Sequence, residues 1–82
     1  MKVPRDLSGI ELEKLLQRYG YEATRQHGSH MRLTSTFRGT EHHITIPAHQ
    51  NLKVGTLESI LTDVADYLAL PRSDFEQQLF AE

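Results

Sequence analysis

Histidine is the residue type in this chain best suited to chemistry, since five of the 82 residues are histidines. Neutral imidazoles bind Zn²⁺ well, and a zinc site would draw on His27, His30, His42 and His43. The neighbours His42 and His43 count against such a site, because adjacent residues of a strand point to opposite faces of the sheet. These two histidines can share one ring of ligands only if the strand contains a bulge.

His30 differs from the other histidines because it begins a predicted strand directly after the turn signal at residues 27–29. The histidine side chain has an ordinary pKa of about 6.5, so both protonation states are populated near neutral pH and it suits general acid or base catalysis. Arg32 follows two residues later on the same polar face, which places a cation beside a proton carrier. Ser29 lacks the strand-turn-helix context of a nucleophilic serine and is interpreted as a turn residue.

Three arginines accompany this histidine. Arg25, Arg32 and Arg38 lie on or near the predicted strands, where guanidinium groups can neutralise phosphates. The sequence contains no evident carboxylate pair, nucleophile elbow or phosphate-cradling glycine loop. The residues alone therefore indicate either a phosphodiester or RNA site on a polar sheet surface, or a solvated basic face.

The elements that must position these side chains begin with a capping box. Ser8 and Glu11 have the spacing at which a hydroxyl and a carboxylate satisfy two helix amides, so a helix is predicted over residues 9–19, with Gly20 at its left-handed end. Residues 21–26 predict a first strand. A second strand runs from residue 30 to residue 37. Its apolar face carries Met31, Leu33, Ser35 and Phe37, and its polar face carries His30, Arg32, Thr34 and Thr36.

The second half of the chain predicts one more strand and a long helix. A hairpin turn over residues 38–41 leads into a third strand that ends at Pro47. A loop is predicted over residues 48–55, and Thr56 is expected to cap the next helix. The apolar positions of that helix have helical spacing and are Leu57, Ile60, Leu61, Val64, Ala65 and Leu68.

The end of the chain predicts a short final helix. Pro71 stops the long helix, and Ser73 with Glu76 has the spacing of a second capping box. The complete order predicts an α+β sandwich, in which helices cover the apolar face of a three-stranded antiparallel sheet. The polar sheet face is then left free for a partner.

Length and composition fit one small domain over residues 1–82. The absence of cysteine excludes disulfides, thiolate metal sites and cysteine nucleophiles, and is compatible with a reducing, cytoplasmic setting. Apolar stretches are far shorter than the roughly 20 residues of a membrane span, so a soluble, unexported protein is expected. Residues 1–38 hold seven Lys or Arg against four Asp or Glu, whereas residues 39–82 hold two against seven. Any basic partner surface is therefore expected in the N-terminal half.

Four segments of the sequence together resemble the HicA toxin family. They are residues 2–9, 25–30, 46–49 and 52–57, which read KVPRDLSG, RQHGSH, IPAH and LKVGTL, so the resemblance spans nearly the whole chain. It implies a fold like that of double-stranded-RNA-binding domains. It also implies a small toxin of a toxin-antitoxin pair that cleaves mRNA without a metal or cofactor. The α-β-β-β-α order of that fold is the order that the residues predict independently.

The resemblance implies that His30 is the catalytic residue, acting as general base on the attacking 2′-hydroxyl or as general acid to the leaving oxygen. Arg25 or Arg32 is expected to stabilise charge on the phosphate oxygens because of its predicted position. Ser29 and Arg38 are further candidates for RNA contact or transition-state support.

Three other positions of the resemblance have loop or backbone roles. His49 lies in a Pro-x-His element after the third strand, where it either contacts RNA or holds the loop by hydrogen bonding. Gly28 is expected to allow a close approach between strands, and Gly55 a loop conformation before the second helix. Neither glycine is expected to take part in the chemistry.

The partner implied by the resemblance is a HicB-like antitoxin that masks the active site. Membrane binding, and DNA binding by this chain alone, are not expected. Glu58, Asp63 and Asp66 depart from the family pattern, because relatives are often more basic on the second helix, so RNA binding is expected on the basic sheet side. The alternative functions are a non-catalytic RNA-binding module of the same fold and a zinc-dependent structural or regulatory protein.

Overall fold

The computed structural model describes residue 4 and residues 6–81. Its elements are helix α1 (Gly9–Leu16) with a 3₁₀ turn (Gln17–Tyr19), strands β1 (Glu22–His27), β2 (His30–Ser35) and β3 (His42–Pro47), and helices α2 (Val54–Leu68) and α3 (Arg72–Leu79). The three strands form one antiparallel sheet in the order β1-β2-β3. This arrangement confirms the predicted α+β fold with its α-β-β-β-α order and a short third helix.

The predicted capping box at the start of α1 is confirmed. The Glu11 amide donates to the Ser8 hydroxyl at 3.0 Å, and the Ser8 amide donates to the Glu11 carboxylate at 2.9 Å. The hydrogen bond from the Ser8 amide is the main reason that the pKa of Glu11 is lowered. Gly20 closes the helix and its 3₁₀ turn with φ of 80°, the left-handed conformation expected from the sequence.

The alternation predicted for the second strand is confirmed over β2. Met31, Leu33 and Ser35 are buried on the helix side, whereas His30 and Arg32 are exposed on the other side. The predicted strand end is wrong, because the strand stops at Ser35 and Phe37 is 59% exposed. The Ser35 hydroxyl explains the stop: it donates to the carbonyl of the 3₁₀ turn and accepts from the Phe37 amide, which bends the chain out of the sheet.

The core lies between the helices and one face of the sheet. All six apolar positions predicted for the long helix are buried, and Leu61 is fully inaccessible. Phe75 and Leu79 of α3 close the same core from the side of α2. Burying these side chains supplies the main driving force for the fold, at about 25 cal/mol per Å² of apolar surface.

Two predicted helix starts are wrong. α2 begins at Val54 after Lys53, so Gly55 lies in its first turn and Thr56 does not cap it. α3 begins at Arg72 after Pro71, and Ser73 makes no capping hydrogen bond. In both helices a backbone carbonyl accepts the first helical hydrogen bond, and neither capping residue uses a side chain.

The carboxylate expected in the second capping box has another partner. Glu76 lies one turn after Arg72 and forms a salt bridge of 3.1 Å with its guanidinium. This pairing occupies the side chain that the capping box required.

Gly9 is needed where α1 crosses the end of β3. A Cβ atom at this position would collide with the carbonyl oxygen of Pro47. The Gly9 amide donates to the His49 carbonyl at 3.0 Å, so the close approach is held by a hydrogen bond. This contact fixes the segment after β3 against the first helix.

Candidate active site on the open sheet face

The face of the sheet turned away from the helices is polar, and we call it the open face. Strand register defines its members, because directly paired residues of an antiparallel sheet point to the same side. It carries Glu22, Thr24, Arg25 and His27 from β1, His30, Arg32 and Thr34 from β2, and His43 and Thr45 from β3. All except the half-buried Thr34 are exposed.

His30 lies at the turn end of the open face. It is the first residue of β2, paired with His27 on one side and with Pro47 on the other. Its imidazole is exposed and has no hydrogen-bond partner among residues 4 and 6–81. The side chain is therefore free to exchange a proton with a bound molecule.

Arg25 and Arg32 form the next row of the open face. They are direct partners in the β1–β2 register, and neither has a salt bridge to a carboxylate within the described part of the chain. Like charges that face each other across two strands are destabilising unless an anion lies between them. The sequence predicted a cation beside His30, and the register places two there.

A β-bulge at Thr24 shapes this row. The β1–β2 register shifts between Ala23 and Arg25, and the extra residue bends the strand. The Thr24 hydroxyl donates to the Arg32 carbonyl at 3.3 Å and contacts the Thr34 hydroxyl at 3.0 Å. A groove at this row is lined by Thr24, Arg25, Arg32, Thr34, Glu41 and His43.

The turn before His30 is held by its backbone. Gly28 has φ of 63°, which favours glycine, while a Cβ atom there would meet nothing within 4 Å. The expected close approach between strands is therefore wrong for Gly28, whose role is the left-handed turn. The Ser29 carbonyl accepts a hydrogen bond of 2.6 Å from the Ala48 amide, which ties the turn to the end of β3.

Of the remaining predicted RNA contacts, Arg38 lies apart from His30, whereas His49 follows the end of β3 that pairs with His30. Arg38 follows the opposite end of β2, a strand whose six residues span about 20 Å, and its amide donates to the Tyr67 hydroxyl. The structure thus does not bring Arg38 to the histidine. His49 is exposed, and its backbone carbonyl, not its imidazole, holds the loop after β3.

The histidines considered for zinc are divided between the two sheet faces. His42 points toward the helices, where Nδ1 lies 2.6 Å from the Tyr21 hydroxyl and Nε2 lies 3.1 Å from the Asp63 carboxylate. His43 lies on the open face, 2.8 Å from the Thr34 hydroxyl. Within residues 4 and 6–81 no three His, Asp or Glu side chains are grouped to hold a metal ion.

His42 belongs to an aromatic cluster that the sequence did not reveal. Its ring stacks on Tyr67 with centroids 4.6 Å apart and meets Tyr21 edge-on. Burial is the main reason that the pKa of Tyr21 is raised, so its hydroxyl stays protonated. Both ring nitrogens of His42 thus have a hydrogen-bond partner, the Tyr21 hydroxyl at Nδ1 and the Asp63 carboxylate at Nε2.

A comparison with family models identifies the chain. The model described as "HicA toxin of bacterial toxin-antitoxin" matches residues 9–65, which is more than half of the chain and runs from α1 into α2. This chain belongs to the HicA toxin family. No curated protein and no solved structure matches it.

Family membership establishes the general role of the protein. It is a toxin of the toxin-antitoxin type, and its family implies a cognate antitoxin. The match includes the β1–β2 hairpin with His30 and excludes α3. No helix within the described part of the chain is long and apolar enough to cross a membrane.

Proposed function

We propose that this HicA toxin is an endoribonuclease that cleaves mRNA in the cytoplasm without a metal ion, with His30 as the catalytic residue. One observation carries the proposal: an exposed, unpartnered imidazole lies one row from the facing pair Arg25 and Arg32. A phosphodiester lying across these rows would meet a proton carrier and two cations together. Histidine and arginine at such spacing suit phosphoryl transfer at neutral pH.

The surrounding residues have supporting roles in this proposal. Arg25 and Arg32 stabilise the negative charge that builds on the phosphate oxygens. Ser29 and His49, which lie in the turn and in the loop after β3, contact the RNA on either side of the cleaved bond. Arg38 binds only RNA long enough to extend to the far end of the sheet.

The cognate antitoxin is proposed to be HicB-like and to cover the open face. The helices already cover the opposite face of the sheet, and the open face carries the exposed histidines and arginines. Covering His30 is the direct way to prevent substrate from reaching it. A structure of the toxin-antitoxin complex with His30 exposed to solvent would contradict this part of the proposal.

The test compares RNA cleavage by the wild-type protein and His30→Ala. A long RNA of mixed sequence is incubated with each protein in the presence of EDTA, and circular dichroism verifies equal folding. Gln77→Ala is the matched surface control, because this exposed residue lies on α3. We expect His30→Ala to lower the cleavage rate by about 100-fold or more, since that is the usual contribution of a general acid or base.

Other results of this cleavage test would support a different function or mechanism. Equal cleavage by wild type and His30→Ala would place the activity in another residue or in a contaminant. RNA binding by the wild-type protein without cleavage would favour the non-catalytic RNA-binding module. Cleavage that stops in EDTA would contradict metal independence.

A further inference from the structure

The hairpin between β1 and β2 places a second imidazole opposite His30. His27 is the last residue of β1, His30 is the first of β2, and the two are direct partners in the strand register. Directly paired residues point to the same face with Cβ atoms about 5 Å apart. Both side chains are exposed, so one phosphodiester on the open face can contact both imidazoles.

The spacing of this pair is held by the turn. Gly28 has positive φ at the first central position and Ser29 does not have positive φ at the second, the combination found in type II′ hairpins. Such turns match the right-handed twist of the strands and keep the flanking residues paired. The hydrogen bond from the Ala48 amide to the Ser29 carbonyl anchors the turn to the third strand as well.

We propose that His27 and His30 act together as the acid-base pair of the reaction, an inference that rests on the proposed ribonuclease function. The neutral imidazole of one histidine removes the proton from the ribose 2′-hydroxyl, and the 2′-oxygen forms a bond to phosphorus. The bond from phosphorus to the 5′-oxygen breaks, and the protonated imidazole of the other histidine gives its proton to that oxygen. The products are a 2′,3′-cyclic phosphate and a 5′-hydroxyl, and no water or further reactant is consumed.

The environment of His27 differs from that of the other paired histidines. His42 and His43 are hydrogen-bonded to neighbouring side chains, whereas His27, like His30, has no such partner within the described residues. A structural histidine would be expected to use its ring nitrogens. The free rings of this pair are therefore available to the substrate.

The groups around the pair favour binding of a phosphate. Arg25 and Arg32 form the adjacent row on the same face, and β3 contributes the uncharged Pro47 and Thr45. His49 follows in the loop after β3, next to the residue that anchors the turn. The charged groups of the adjacent row are both positive, so they stabilise a pentavalent phosphorus with its added negative charge. The carboxylate that β1 presents on this face, Glu22, is paired with Thr34 and lies one row further from the histidines.

Two substitutions of His27 distinguish a role in proton transfer from a role as a positive charge. His27→Gln keeps a polar side chain but cannot transfer the proton, and His27→Arg keeps a positive charge without giving up its proton near neutral pH. We expect both variants to melt like the wild type, to lower kcat by about 100-fold with little change in KM, and to lose one limb of a bell-shaped pH profile. The substrate is a labelled short RNA that the wild-type protein cleaves, and mass spectrometry reports the ends of the products.

Each result distinguishes the pair from the proposed ribonuclease function. If His27→Gln cleaves at the wild-type rate with an unchanged pH profile, His27 is not part of an acid-base pair, whereas cleavage that depends on His30 is not contradicted. Wild-type rate in His27→Arg would assign His27 a purely electrostatic role. Products with a 3′-hydroxyl would overturn the cyclising step alone, and an inactive wild-type protein would overturn both proposals.

A second measurement needs no catalysis. Inorganic phosphate is titrated into the protein while the imidazole resonances are followed by NMR. We expect the signals of His27 and His30 to shift together at the same phosphate concentration, with that of His42 unaffected. Shifts in neither histidine of the pair would contradict a shared phosphate site.

Discussion

His42 and His30 lie on opposite faces of the sheet and have opposite surroundings. On the helix-covered face, His42 is hydrogen-bonded to Tyr21 and Asp63 and stacks on Tyr67. On the open face, His30 is exposed and has no partner in the described chain. A histidine whose ring nitrogens are both used holds elements together, whereas an unpartnered one beside cations is available for chemistry. Residue type is the same in both places, and the neighbours decide the role.

The largest effect on stability is expected from a substitution in the core, on the helix-covered face of the sheet. Leu61→Ala removes a fully buried side chain between α2 and the sheet, so we expect the free energy of unfolding to fall by about 2–5 kcal/mol. Chemical denaturation followed by circular dichroism measures this loss. Cleavage per folded molecule is expected to be unchanged, because the open face keeps its residues. A folded variant of normal stability that lost cleavage would contradict the division between the faces.

A smaller effect is expected from the neighbouring histidines of β3. His42→Ala leaves the Tyr21 hydroxyl, which belongs to a fully buried residue, without its partner. We expect a loss of about 1–3 kcal/mol in the free energy of unfolding, the usual cost of an unsatisfied buried group. His43→Ala, an exposed change one residue along, is the matched control and is expected to alter stability by about 0.5 kcal/mol or less. Equal losses in the two variants would show that the covered face does not depend on the aromatic cluster.

The smallest change in stability is expected on the open face, with the opposite sign. Arg25→Gln relieves the repulsion between facing arginines, so the free energy of unfolding should rise by a few tenths of a kcal/mol. Binding of RNA should weaken, and the slope of log affinity against log salt should become shallower by about one, because one phosphate contact is lost. Fluorescence anisotropy at several salt concentrations measures both. A salt slope equal to that of the wild type would exclude this arginine from the RNA site.

Local patterns predicted much of this fold correctly. The reciprocal cap of Ser8 and Glu11, the left-handed Gly20 and the alternation along β2 each depend on residues within a few positions of one another. Local sequence predicted the starts of α2 and α3 incorrectly, because backbone groups alone cap these helices. Thr56 and Ser73 are good capping residues, yet α2 and α3 begin earlier, because a carbonyl can accept the first helical hydrogen bond without help from a hydroxyl.

In the candidate site, too, some features were predictable from the sequence and others were not. The type and position of His30, the turn before it and the polar face of its strand follow from the sequence. The row formed by Arg25 and Arg32 does not, since a bulge in β1 shifts the register that decides which residues face each other. The sequence interpretation considered His27 as a metal ligand and as part of the turn signal, and only the register shows that it faces His30.

The sequence by itself determined the order of the elements, the apolar stripe of α2 and the presence of a histidine on a polar strand face, because each depends on periodicity along the chain. Only the tertiary structure decided which side chains meet. Tyr21 and His42 are 21 positions apart, and Gly9 meets Pro47 across the fold. Such contacts depend on strand register and helix placement, which minimise the free energy of the whole chain and are not encoded in any short segment.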